Sequence, residues 1–146
     1  MTAFADFVDA APARQMREEM ILRYTQSLCE ALEVDYRLYT TKAHRRSVQN
    51  EINMEHHEWC LKQIADGTYH FRNQFVIETG RKYHKVIMVD SNQRSVHCFV
   101  DKMTGDVYKS ASWKAPARGV RYSLLDDNSR EQCYRNAEWS GGYLYA

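Results

Sequence analysis

The sequence predicts an α+β domain: an antiparallel sheet of about four strands over residues 69–110, with N-terminal helices packed mainly on one face. Three observations carry this expectation. Apolar residues recur every three to four positions in the first part of the chain, the period of an amphipathic helix. After Gly67 the pattern changes to strand-like alternation broken by short polar turns. Those turns are too short for a crossover connection, so neighbouring strands pair antiparallel. The length, 146 residues, corresponds to one domain, residues 1–146, with 44% apolar and 27% charged residues, both near the globular norm.

The first predicted helix covers residues 12–33. Pro12 suits a first turn, where its missing N–H costs nothing. Met16, Met20, Tyr24, Leu28 and Leu32 recur every four residues, widened by Ile21 and Ala31, while Arg14, Arg17, Arg23, Glu30 and Glu33 take other faces. Residues 34–46 are mixed, with Thr40 and Thr41 weakening a helix. A second helix is expected over 47–65, capped by Ser47 and stopped at Asp66-Gly67.

Beyond Gly67 the texture is β. Tyr69, Phe71, Phe75, Val76 and Ile77 form a short first strand that ends at Thr79-Gly80. Lys82–Asp90 alternates, with Tyr83, Lys85, Ile87 and Val89 on one face and His84, Val86 and Met88 on the other. Ser91-Asn92-Gln93 turns into the partner strand Arg94–Asp101, and the loop to Asp106 places Gly105 where a positive φ is needed. Val107-Tyr108-Lys109 begins a fourth strand. Pro116 and Gly119 punctuate the next stretch, and Asp126–Ser129 starts a last helix before Arg130–Trp139. The aromatic end, Tyr143-Leu144-Tyr145, is expected to dock on the body.

Four cysteines, at 29, 60, 98 and 133, have long irregular gaps and no CxxC pair. The first nine residues hold two Asp and no basic stretch, which does not match a secretory signal, and no apolar run approaches the roughly 20 residues of a membrane span. The expectation is a cytoplasmic protein with reduced thiols, Cys29 and Cys98 in the core.

The net charge of +1 conceals a division. Residues 81–122 hold nine Lys or Arg against three acids, a local +6, and the remainder is −5. Tyr83, Phe99, Tyr108, Trp113 and Tyr122 interleave with these cations. Basic groups track phosphates and aromatic faces stack on bases, so this β-rich segment is the candidate site for an anionic ligand. Its densest part runs from Lys109 to Tyr122. The candidate ligand-binding residues are Lys85, His97, Lys109, Ser112, Trp113, Lys114, Arg118, Arg121 and Tyr122. The competing explanation is ordinary: lysines protect sheet edges, and aromatics fill cores.

Other chemistry finds little support. His56 and Cys60 stand at i, i+4, a spacing that chelates zinc, but the segment is not HExxH, and further ligands would have to come from residues such as His97 or Cys98. There is no GxSxG, GxGxxG or P-loop pattern, and adjacent strand residues such as His97 and Cys98 should point to opposite faces. No catalytic residue, cofactor or metal is therefore assigned, and the balance leans away from an enzyme.

Two stretches carry a resemblance. Arg94–Tyr122 (RSVHCFVDKMTGDVYKSASWKAPARGVRY) and Ala137–Tyr145 (AEWSGGYLY), about a quarter of the chain, resemble segments of small proteins encoded by tailed bacteriophages. The hairpin within Phe99–Val107 also looks like the terminal hairpin of PepSY-type domains, which supports the α+β class. The phage resemblance implies an accessory protein of host takeover or anti-defence, acting in the bacterial cytoplasm, and transfers no catalytic residue. Joined to the charge map, it leads to a non-enzymatic binder of nucleic acid or a small nucleotide signal, with no membrane partner and with self-association left open. The alternative is a protein–protein module, inhibiting a host enzyme or serving as a minor virion component through the acidic helical remainder or a sheet edge.

Overall fold

The structure, a computed structural model, describes residues 3–145, with side chains from residue 11 onward. Among the described residues the chain forms three α-helices and one five-stranded antiparallel sheet. Helix α1 runs from Ala3 to Gln49, well beyond the expected 12–33. Thr40 and Thr41 do not stop it. The Thr41 hydroxyl donates to the Arg37 carbonyl at 2.8 Å, which spares it from competing for backbone donors. Pro12 thus lies inside the helix, and Ser47 lies in its body rather than capping the next one.

The buried stripe of α1 is also rotated from the expected one. Ile21, Thr25, Leu28, Leu32 and Tyr36 are buried, whereas Met16 is 64% exposed. The 4-3-4-4 spacing keeps one face on the sheet, and the Thr25 hydroxyl is satisfied by the Ile21 carbonyl at 2.8 Å. The chain turns through Glu51 and Asn53, both at positive φ, into α2, Met54–Asp66. Gly67 closes α2 in the left-handed conformation, the role expected of it.

The strands are β1 Asn73–Thr79, β2 Tyr83–Asp90, β3 Gln93–Asp101, β4 Asp106–Ser110 and β5 Pro116–Ser123, in that spatial order. This corrects the expectation of about four strands. β5 is an edge strand that opens on Pro116, one of the few places in a sheet where a missing N–H is harmless. Gly119, at φ 97°, and two register shifts against β4 break the alternation that would have marked it. The turn after β3 needs Gly105 as expected. Its φ is 74°, and an added Cβ would lie 3.2 Å from Leu125 Cγ.

One face of the sheet is covered. Phe75, Val86, Cys98, Val100 and Val107 pack with Ile21, Leu28 and Leu32 of α1, with Leu124, with Cys133 of α3 (Asp127–Asn136), and with Leu144. Asp126 caps α3 by accepting from the Ser129 N–H at 2.8 Å. The C-terminal segment docks as expected: the Trp139 N–H donates to Asp35 Oδ2 at 2.9 Å, and its ring meets Tyr36 edge-on at 5.3 Å. All four cysteines are free and buried. Burial pushes the Cys29 and Cys133 thiols up to about 12 and Cys98 well above its ordinary value. No helix among the described residues is long and apolar enough to cross a membrane.

Candidate nucleic-acid interface

The opposite face of the sheet carries a row of aromatic and basic side chains. Register sets Lys85 of β2 across from Phe99 of β3, and Phe99 across from Tyr108 of β4. Tyr83 meets Phe99 and Tyr108 edge-on, at 5.5 and 6.2 Å between ring centres. Phe99 and Ile87 are buried on this face yet stand outside the main core cluster. Burial, followed by the nearby carboxylates, chiefly Asp106, raises the Tyr108 phenol, so it stays a neutral donor.

The loop between β4 and β5 folds over this row. The Ala111 and Ser112 N–H groups donate to the Ala115 carbonyl, and the Ser112 hydroxyl accepts from the Lys114 and Ala115 N–H groups at 3.3 and 3.2 Å. This tight turn brings Trp113 above the sheet. Lys85 Nζ lies 4.7 Å and Arg94 Cζ 5.7 Å from its ring centre, and the indole remains 41% exposed. Lys82 sits over Tyr83 at 5.4 Å. Cation–π contacts of this kind hold flat rings in place while leaving charge nearby. Among the described residues, three acids stand on this face: Asp101 is engaged by the Met103 and Thr104 N–H groups, Glu78 pairs with Arg94 at 3.3 Å, and Asp106 lies near Tyr108.

The nine sequence-predicted residues divide between the two faces. Lys85 and Trp113 meet on the open face, Ser112 builds the loop that brings them together, and Lys114 and Arg118 are exposed. The other four hold the C-terminal segment. Arg121 Nε donates to the Leu144 carbonyl, and one of its terminal nitrogens donates to the Arg118 and Gly119 carbonyls. The Tyr122 hydroxyl donates to the Tyr143 carbonyl at 3.2 Å. Lys109 Nζ lies 4.6 Å from the Tyr145 ring centre, and His97 Nε2 is 2.7 Å from the Tyr143 hydroxyl.

His97 also corrects the expected alternation. β2 pairs Val86 with Cys98 and Ile87 with Val96, which leaves His97 as the extra residue of a β-bulge. Its ring therefore meets Phe75 and Tyr143 on the covered side, the side that also takes Cys98. Burial pushes the imidazole down to about 4.

The sequence places Tyr83, Phe99, Tyr108 and Arg94 in the basic, aromatic segment but does not single them out as ligand-binding residues. The i, i+2 placement of Tyr83 and Lys85 was a signal for one shared face. The cross-strand partners became visible only through the register.

His56 Nε2 does approach Cys60 Sγ, at 3.6 Å, beside a His44–His57 contact of 2.8 Å. Among the described residues, however, no group of three or more His, Cys, Asp or Glu is arranged to hold a metal ion. A family model described as "Family of unknown function (DUF7717)" matches residues 4–146. No curated protein and no solved structure matches the chain.

Proposed function

The chain belongs to the DUF7717 family, and we propose that it is a non-enzymatic accessory protein that binds a phosphate-bearing ligand, foremost single-stranded nucleic acid, on its open sheet face. The observation that carries this reading is Trp113, held over Lys85 and Arg94 beside the Tyr83–Phe99–Tyr108 row. Bases stack on accessible rings such as Trp113 for about 1–3 kcal/mol each, and the flanking cations meet the backbone; Phe99, buried beneath, supports the row. An open face accepts a continuous strand more readily than an enclosed pocket does. A bacteriophage origin is proposed from the resemblance of residues 94–122 and 137–145. Action in the host cytoplasm is proposed from that origin and from four free thiols.

Anisotropy of a labelled thymidine oligonucleotide tests the site. Trp113→Ala should weaken binding about tenfold or more, the cost of one lost stacking platform. Unchanged affinity in that variant would remove the open face from consideration. A free nucleotide in place of the oligonucleotide distinguishes the small-signal version, which needs one ring rather than a row.

A protein partner is the second reading, favoured by a different surface. Val34, Leu38 and Tyr39 of α1 and Trp59 of α2 are each at least 55% exposed. Isolated exposed apolar residues are ordinary, but a group of them on two packed helices suits an interface. In that case Trp59→Ala, and not Trp113→Ala, would release the partner.

A further inference from the structure

A cavity of about 230 Å³ lies between the covered side of the sheet and the C-terminal segment, away from the Trp113 row. We propose that it is a second site, for a small tetrahedral oxyanion: free phosphate or the phosphoryl group of a small phosphomonoester. The cavity is lined by His97, Lys109 and Ser95 from the strands and by Trp139, Ser140 and Tyr145 from the C-terminal segment, and no Asp or Glu among the described residues lines it.

Its construction is specific. The β-bulge turns His97 out of the alternation and into this space, a device that sheets use next to sites. The ring is then fixed from two sides. Phe75 meets it edge-on at 5.4 Å, and the Tyr143 hydroxyl takes Nε2 at 2.7 Å. Gly141, at φ 89°, covers the other edge, where an added Cβ would lie 3.8 Å from Cε1 and 4.0 Å from Nδ1. A side chain here would narrow the approach to Nδ1; glycine leaves it open.

The protonation states suit an anion. Burial holds the Tyr143 phenol well above its ordinary value and His97 far below its own, so both are neutral near pH 7. In the tautomer whose Nε2 accepts from the phenol, Nδ1 carries the ring proton and is the donor available to an anion. Lys109 supplies the charge: its ammonium rests on the Tyr145 ring, and no salt bridge among the described residues neutralises it. The Ser95 and Ser140 hydroxyls add rotatable donors. Donors without acceptor charge select an oxyanion over a cation. The volume is below the roughly 300–1,000 Å³ of pockets for drug-sized molecules, so the ligand is small.

The test is a titration of the intact protein with inorganic phosphate, and separately with glycerol 3-phosphate, read on the His97 imidazole nitrogens by NMR. Phosphate should shift the Nδ1 resonance, and Lys109→Gln should weaken binding about tenfold or more, the loss expected for one charge-assisted hydrogen bond. Tighter binding of glycerol 3-phosphate identifies a phosphomonoester, and equal binding identifies free phosphate; either supports the site. Trp113→Ala should leave these titrations unchanged, which separates this cavity from the open face. Silent His97 resonances in millimolar phosphate, or a Lys109→Gln variant with wild-type affinity, would overturn the proposal.

Discussion

Replacing His97 with Gln should flatten the acid limb of the stability curve. Burial pushes this imidazole from 6.5 down to about 4, so between those values the unfolded chain binds a proton that the native protein refuses. His97 therefore contributes stability that is fully present above about pH 6.5 and is lost as pH falls toward 4. At about 1.4 kcal/mol per pKa unit, the whole effect is roughly 3 kcal/mol. His44 and His84 are also lowered, by burial first and then by His57 and Lys102 respectively, and their contributions have the same sign. The difference between wild type and His97→Gln isolates the one ring, since Gln can still bond the Tyr143 hydroxyl. In urea unfolding monitored from about pH 7 to about pH 4.5, wild type should lose about 2–3 kcal/mol more than the variant. Parallel curves would show that the His97 ring titrates normally and is not held neutral by burial.

Three further outcomes are expected from the packing. Leu28→Ala, at a fully buried position between α1 and the sheet, should cost about 2–5 kcal/mol in chemical denaturation without altering ligand binding. Arg121→Ala removes bonds to three backbone carbonyls, so it should expose the C-terminal segment to proteolysis and leave oligonucleotide affinity within about twofold. A thiol reagent at neutral pH should find Cys29, Cys98 and Cys133 unreactive until the protein unfolds, because burial has raised all three; fast native labelling would contradict their placement.

The parts of the fold that were legible in the sequence obey a single period. The β2 and β3 hairpin, the Gly105 turn and the Gly67 stop each depend on local chemistry and lie where the sequence places them. The errors arose where that chemistry competes with long-range contacts. Thr40 and Thr41 weaken an isolated helix, yet α1 continues through them. Pro116 and Gly119 disguise β5, whose pairing depends on β4 rather than on its own alternation.

The candidate site was half legible for the same reason. The local charge of +6 in residues 81–122 is a property of the chain, but alternation sends its members to two faces. Lys85 pairs across from Phe99 on the open side, while Lys109 pairs across from Cys98 on the covered side. No spacing rule reveals that a bulge redirects His97, or that Arg121 is engaged by the backbone of residues 118, 119 and 144.

The most direct measurement is a two-dimensional amide spectrum recorded while a thymidine oligonucleotide is added to the labelled protein. Base stacking on the open face predicts the largest shifts at the Trp113 indole and at Tyr83, Lys85 and Tyr108, and their reversal as salt competes for the phosphate contacts. Shifts confined to α1 and α2, or a spectrum that does not change at low salt, would contradict the assignment of this face to nucleic acid.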